Sequence, residues 1–150
     1  MFGQTKLTLI IGLTLGMLKK LILYCILIIT VASCNSNSTA EKADNPLDGG
    51  RYFIENFMQG EMKKAQQYVF VDPKNQAYFD QMTKEYFSLD KEGRMQLRQA
   101  SIQINEVKAI DSTQTIINYQ SSMDKVPHLL KVISTPNGWK VDLKYTYIAK

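Results

Sequence analysis

Three side chains in this sequence could do chemistry of their own: Cys34, His128 and Asp142. Cys34 follows the small residues Val31-Ala32-Ser33, which end an apolar run, Leu21 to Ala32, set behind Lys19 and Lys20. Positive residues, a short apolar core and a small-residue site are the pattern that export machinery threads and cleaves. A membrane-spanning helix needs about 20 apolar residues, more than this run supplies. Cys25 lies inside the apolar core and leaves with the leader. His128 is the only histidine and follows Pro127 at a strand start, where a solvated edge residue is the plain expectation. Asp142 sits between Lys140 and Lys144 in an alternating run, the pattern of a charge ladder on a sheet surface. One histidine cannot build a usual metal site, and no phosphate-binding loop, nucleophile elbow, zinc-protease helix or paired-cysteine motif occurs. The expectation is therefore no catalytic residue, no metal and no cofactor.

The Val31-Ala32-Ser33-Cys34 sequence resembles the lipobox of bacterial lipoproteins. The resemblance implies that the leader 1–33 is a lipoprotein signal peptide, removed before Cys34, whose thiol is diacylated and whose freed amine is acylated in turn. Several acyl chains, at about 0.8 kcal/mol per buried methylene, hold a protein on a bilayer where one chain binds only reversibly. The alternative for Cys34 is an ordinary exported thiol. The apolar region reaches back to Leu7, broken by Lys19 and Lys20, each costing about 2.5 to 3.5 kcal/mol at the centre of a span, so Met17 is read as the true start. Asn35 after the cysteine, where Asp holds enterobacterial lipoproteins at the inner membrane, implies the outer membrane. The absence of an acidic cluster over Asn35 to Thr39 implies its periplasmic face.

The chain has 18 Lys+Arg against 14 Asp+Glu, a formal +4. Lys6, Lys19 and Lys20 lie in the leader, so the mature chain is nearly balanced and nucleic acid is excluded as a partner. Residues 34–44 (CNSNSTAEKAD) are small and polar and read as a flexible tether. The folded domain is expected over 45–150. Asn45-Pro46 and Asp72-Pro73 are cap-plus-proline helix starts, and Gly60 stops the first helix before a short second one from Glu61 to about Tyr68. Tyr78, Phe79, Met82, Tyr86 and Leu89 mark one face of a third helix, and Asp90 opens a further helical turn through Leu97. After Ala100 the period changes to two. Turns at Asp111-Ser112-Thr113, Asp124 to Pro127 and Thr135-Pro136-Asn137-Gly138 divide the remainder into four strands. The last strand is expected to place Trp139, Val141, Leu143, Tyr145 and Tyr147 on one face. Helices followed by an antiparallel meander make an α+β fold, with the helices on one sheet face.

The run Phe53 to Ala65, an aromatic helix ending in glycine before a second helix with a small buried residue, is similar to the opening of NTF2-like (cystatin-like) domains, and Gly138-Trp139-Lys140-Val141 resembles their last strand. The lipoprotein group with the DUF4878 domain is closest in layout, over Asp48 to Tyr147. The resemblance implies N-terminal helices packed on a curved four-stranded antiparallel sheet, around a cone-shaped pocket. Strand aromatics Tyr119, Trp139, Tyr145 and Tyr147 are the expected pocket lining, with Phe53, Phe57, Tyr78, Phe79 and Tyr86 as helix core. The expected function is non-catalytic: an envelope lipoprotein binding a small apolar ligand or a protein partner, with homodimerisation open. The alternatives are an isomerase- or cyclase-type enzyme using Asp142 or His128, and a purely structural envelope domain.

Overall fold

Helix α1 (Pro46–Met58) begins where the Asn45 side-chain oxygen accepts a hydrogen bond from the Asp48 amide at 2.9 Å, with Pro46 in the first turn. The structure, a computed structural model, describes residues 41–148, with side chains through residue 146; Cys34 and the leader lie outside the described residues. Gly49, Gly50, Phe53, Ile54 and Met58 form the buried stripe of α1 at helical spacing. The glycines let the helix approach the sheet closely: a Cβ on Gly49 would lie 2.9 Å from the Trp139 carbonyl oxygen, and one on Gly50 would lie 2.4 Å from Ile117 Cδ1. Gly60, with φ of 79°, turns the chain through the left-handed region into α2 (Met62–Gln66), where Ala65 is fully buried.

The Asp72 side chain caps α3 (Pro73–Ser88) by accepting from the amides of Lys74 at 2.8 Å and Asn75 at 3.3 Å. Asp90 caps α4 (Lys91–Gln99) by accepting from the Gly93 amide at 2.7 Å. Unlike the other capped helices, α4 buries none of its residues.

Strands β1 (Ile102–Ala109), β2 (Gln114–Ser121), β3 (Pro127–Thr135) and β4 (Gly138–Asp142) form one antiparallel sheet in chain order, the α+β meander expected from the change of period. Side-chain parity follows from register. Thr115 pairs with Val132 and Ile117 with Leu130, while Val132 also pairs with Val141, so one face carries the buried row against α1. On that face Ile117, Leu130, Val132 and Val141 are all at most 1% exposed and form the core with Phe53, Ile54 and Phe79. The outer edge of β4 is covered: Trp139 donates its amide to the Ala43 carbonyl at 3.0 Å, Val141 to Tyr68 at 2.7 Å, and Phe70 donates to Val141 at 2.9 Å. The packed chain thus extends upstream of Asn45, because Ala43 is buried and the Tyr68 hydroxyl donates to the Glu41 carbonyl at 2.8 Å.

One element departs from expectation. The last strand does not run to Tyr147; it ends at Asp142, and Leu143–Ile148 is a helix, α5. The final pairing of β4 is Asp142 with Lys131, which leaves Pro127 to Leu130 of β3 without a strand on that side among the described residues. The cause is a tertiary hydrogen bond: the Lys144 amide donates to the Asn75 side-chain oxygen at 3.1 Å, while Asn75 Nδ2 donates to the Phe70 carbonyl at 3.2 Å. Lys144 Nζ then lies 3.2 Å from Asp72 and over the Phe70 ring. Fully buried Asn75 draws the chain off the sheet and onto α3.

Candidate functional site

Two residues beyond the Ile117–Leu130 pair, the same register places Tyr119 opposite His128 on the inner face. Here the sheet is no longer filled by helix side chains, and a cavity of about 340 Å³ opens, within the range of roughly 300 to 1,000 Å³ that serves small ligands. Helix α1 supplies Phe53, Ile54, Phe57 and Met58 to its wall. Met82, Glu85 and Tyr86 come from α3, with Leu89 just beyond it, and Leu97 comes from α4. The sheet side is Tyr119, Ser121, Met123, Asp124 and His128, and Thr146 of α5 completes the wall.

The apolar part is stiffened by ring contacts. Phe57 meets Tyr86 edge-on at 5.8 Å between centroids and Phe79 at 6.4 Å, and Phe53 stacks on Phe57 at 6.1 Å. Tyr86 is held from behind by Arg98, whose Nε donates to the phenolic oxygen at 3.2 Å.

The polar part is gathered at the β2–β3 turn. Lys125, with φ of 55°, lets the chain reverse tightly, and Ser121 accepts from the Met123 amide at 3.1 Å. Asp124 accepts from the Val126 amide at 3.1 Å through one oxygen, and its other oxygen is 2.8 Å from His128 Nε2. Burial of the Asp124 carboxyl raises its pKa, but the hydrogen bonds from His128 and the Val126 amide outweigh that, so it lies below the ordinary aspartate value. The His128 ring lies 5.3 Å from that of Tyr119 at 30° between planes. Burial, with a smaller contribution from the Asp124 charge, pushes the Tyr119 phenol up to about 12, so it keeps its proton at neutral pH. Its hydroxyl has no hydrogen bond among the described residues. Thr146 Oγ1 is buried without a partner among the described residues, a condition that costs about 1 to 3 kcal/mol in a folded protein.

Of the residues singled out from the sequence, Tyr119 and His128 lie on the cavity wall. His128 lies on the open β4 side of β3 but is not simply solvated: it shares parity with Leu130 and Val132, so its ring is turned to the helix side, and its side chain is 33% exposed. Trp139 has inner-face parity but lies at the opposite end of the sheet, where its Cβ packs against Gly49. Tyr145 lies on α5 and is not part of the wall, and the Tyr147 side chain lies outside the described residues. Asp142 is also away from the cavity, and it is not on an open charge ladder. Its side chain is 14% exposed, one oxygen is 3.7 Å from Lys144 Nζ, and Lys144 belongs to α5 rather than to the strand. The helix aromatics divide: Phe79 is core, whereas Phe53, Phe57 and Tyr86 serve both core and cavity wall.

The sequence pattern marks Asp124 only as a turn residue; its side chain meets His128 because the turn returns β3 in the register that places the two together. The parity of His128 with Leu130 and Val132 was a usable signal for its facing inward. No helix among the described residues is long and apolar enough to cross a membrane, and no cluster of metal-ligating side chains occurs among them. Compared with protein-family models, curated proteins and solved structures, the chain matches none.

Proposed function

We propose that the protein is a lipid-anchored envelope lipoprotein whose domain, of NTF2-like type, binds a small, largely apolar ligand without transforming it. The observation that carries the binding reading is the cavity itself: about 340 Å³, walled mainly by Phe, Met, Leu and Ile side chains, with Tyr119, Asp124 and His128 among its few polar groups. A domain serving only as a spacer gains nothing from leaving such a volume unfilled, since each unfilled methylene costs about 1 kcal/mol of packing. A ligand accounts for the aromatic wall and gives the Tyr119 hydroxyl, which has no hydrogen bond among the described residues, a partner.

The test uses a neutral, environment-sensitive dye, N-phenyl-1-naphthylamine, with the chain cleaved at or expressed from Cys34. The expected result is a fluorescence rise that 1-octanol reverses and that Met82→Trp, which fills the cavity, abolishes without lowering the melting midpoint. No rise, or one unaffected by Met82→Trp, refutes the reading. The anchor at Cys34 is tested separately by mass spectrometry of the native N-terminal peptide. A peptide starting upstream of Cys34, or one free of acyl chains, removes the anchor and with it the assignment to the periplasmic face of the outer membrane. A protein partner at the cavity mouth, including a second copy of the chain, is the other occupant to test by crosslinking.

One observation favours a second reading. His128, oriented by Asp124 beside an apolar cavity, has the arrangement of a general base. Asp142 has no such place. The enzymatic reading requires that the protein accelerate exchange of the α-hydrogens of 2-octanone into heavy water, and that His128→Gln remove the acceleration.

A further inference from the structure

Two carboxylate residues, Asp124 and Glu85, line the cavity wall, Asp124 paired with the wall imidazole of His128 at 2.8 Å, and among the described residues neither lysine nor arginine lines it. The two arginines of α4 are turned to other partners. Arg94 donates to the carbonyls of Leu89 and Phe87, and Arg98 donates to the Tyr86 oxygen. A fatty-acid anion entering here meets those carboxylates and, among the described residues, no lysine or arginine with which to share its charge. An ammonium meets the reverse.

The rest of the wall suits a cation too. Four aromatic residues, Phe53, Phe57, Tyr86 and Tyr119, line the volume, and an aromatic ring face attracts positive charge while repelling negative. Asp124 lies below the ordinary aspartate range, so it is ionised at neutral pH. Tyr119, which keeps its proton, offers phenolic lone pairs to an N–H donor, beside the hydroxyl residues Ser121 and Thr146 on the same wall. Carboxylate, ring face and hydroxyl at one end of an apolar volume are complementary to a positively charged head on a hydrocarbon body.

Building on the ligand-binding reading above, we propose that the cavity is selective for amphiphilic organic cations, an alkyl or aryl body carrying an amine or quaternary ammonium, over fatty-acid anions of the same length. The head sits against Asp124 and Tyr119, and the body lies along Phe53, Phe57 and Met82.

The experiment is competition against N-phenyl-1-naphthylamine at neutral pH by three probes of equal chain length: octylammonium, 1-octanol and octanoate, each below its micelle threshold. The expected order is octylammonium, octanol, octanoate, with at least tenfold, or about 1.4 kcal/mol, between the cation and the neutral probe. Asp124→Asn retains an oxygen for the Val126 amide and so preserves the turn, and Glu85→Gln changes an exposed residue. Combined, they should bring octylammonium to within about threefold of octanol while octanol itself is unmoved. Octanoate binding as tightly as octylammonium, or a cation preference that survives both substitutions, overturns the proposal. Octanol binding equally with octylammonium overturns it while leaving the cavity reading intact. Binding by none of the three overturns both.

Discussion

Replacing Asn75 by alanine tests whether the tertiary account of α5 is right. The side chain is fully buried and makes two hydrogen bonds, donating to the Phe70 carbonyl at 3.2 Å and accepting from the Lys144 amide at 3.1 Å. Asn75→Ala leaves both backbone groups without their partner in a place that water reaches poorly. A buried orphan costs about 1 to 3 kcal/mol, and the vacated amide volume adds a packing loss, so the expected destabilisation is about 3 kcal/mol. That is a large share of the roughly 5 to 15 kcal/mol that holds a domain of this size together. At about 4 °C per kcal/mol it lowers the melting midpoint by about 12 °C. Urea titration followed by circular dichroism gives the free energy. Because the lost bond pins α5, and Thr146 of α5 is part of the cavity wall, dye affinity should fall as well. A loss below about 1 kcal/mol, or unchanged amide protection at Lys144 in hydrogen exchange, refutes the claim that Asn75 takes this segment off the sheet.

Gly49→Ala forces a methyl to within 2.9 Å of the Trp139 carbonyl oxygen, which is backbone and cannot swing aside, so a loss of about 1 to 3 kcal/mol is expected; an unchanged urea midpoint would show that α1 does not lie as close to β4 as described. The Asp72 carboxyl is held below its ordinary 3.8, chiefly by Lys144 and against the opposing effect of burial, with the Asn75 and Lys74 amides adding to the lowering. A depressed folded-state value stabilises the fold above the unfolded value, and that stability is lost as pH falls through the folded one. Lys144→Met should therefore be less stable than the parent at neutral pH and draw closer to it as pH falls through the depressed Asp72 value; a gap independent of pH would contradict the ion pair. Tyr119 should be among the last tyrosines to ionise: with ring-labelled tyrosine, its Cζ resonance stays put as exposed tyrosines titrate near pH 10, moving only at about pH 12. A midpoint near 10 would place Tyr119 in solvent.

Much of the framework is legible in local sequence. The caps at Asn45, Asp72 and Asp90, the prolines after two of them, and the glycine at 60 act within a few residues, and each produces the helix boundary its chemistry requires. The change of period after Ala100 and the three turns likewise define four strands in meander order, since alternation and turn chemistry are local. The site is less legible. Parity alone turns His128 inward with Leu130, yet only the β2–β3 register brings it beside Tyr119, and only the folded turn brings it to Asp124.

What the amino-acid sequence determined by itself was therefore the four capped or glycine-bounded helices and the four strands, and their order up to Asp142. The tertiary structure decided two further things. The run from Leu143 alternates apolar and polar residues too briefly to distinguish strand from helix, and a buried amide 69 positions away settles it as α5 by accepting the Lys144 amide. The same turn away from the sheet leaves the Pro127 to Leu130 end of β3 without a described strand on its β4 side, and it brings Thr146 to the wall of the cavity there. A cavity is volume left over after packing, so no local pattern encodes it; it exists only once α1, α3 and the sheet have fixed their distances.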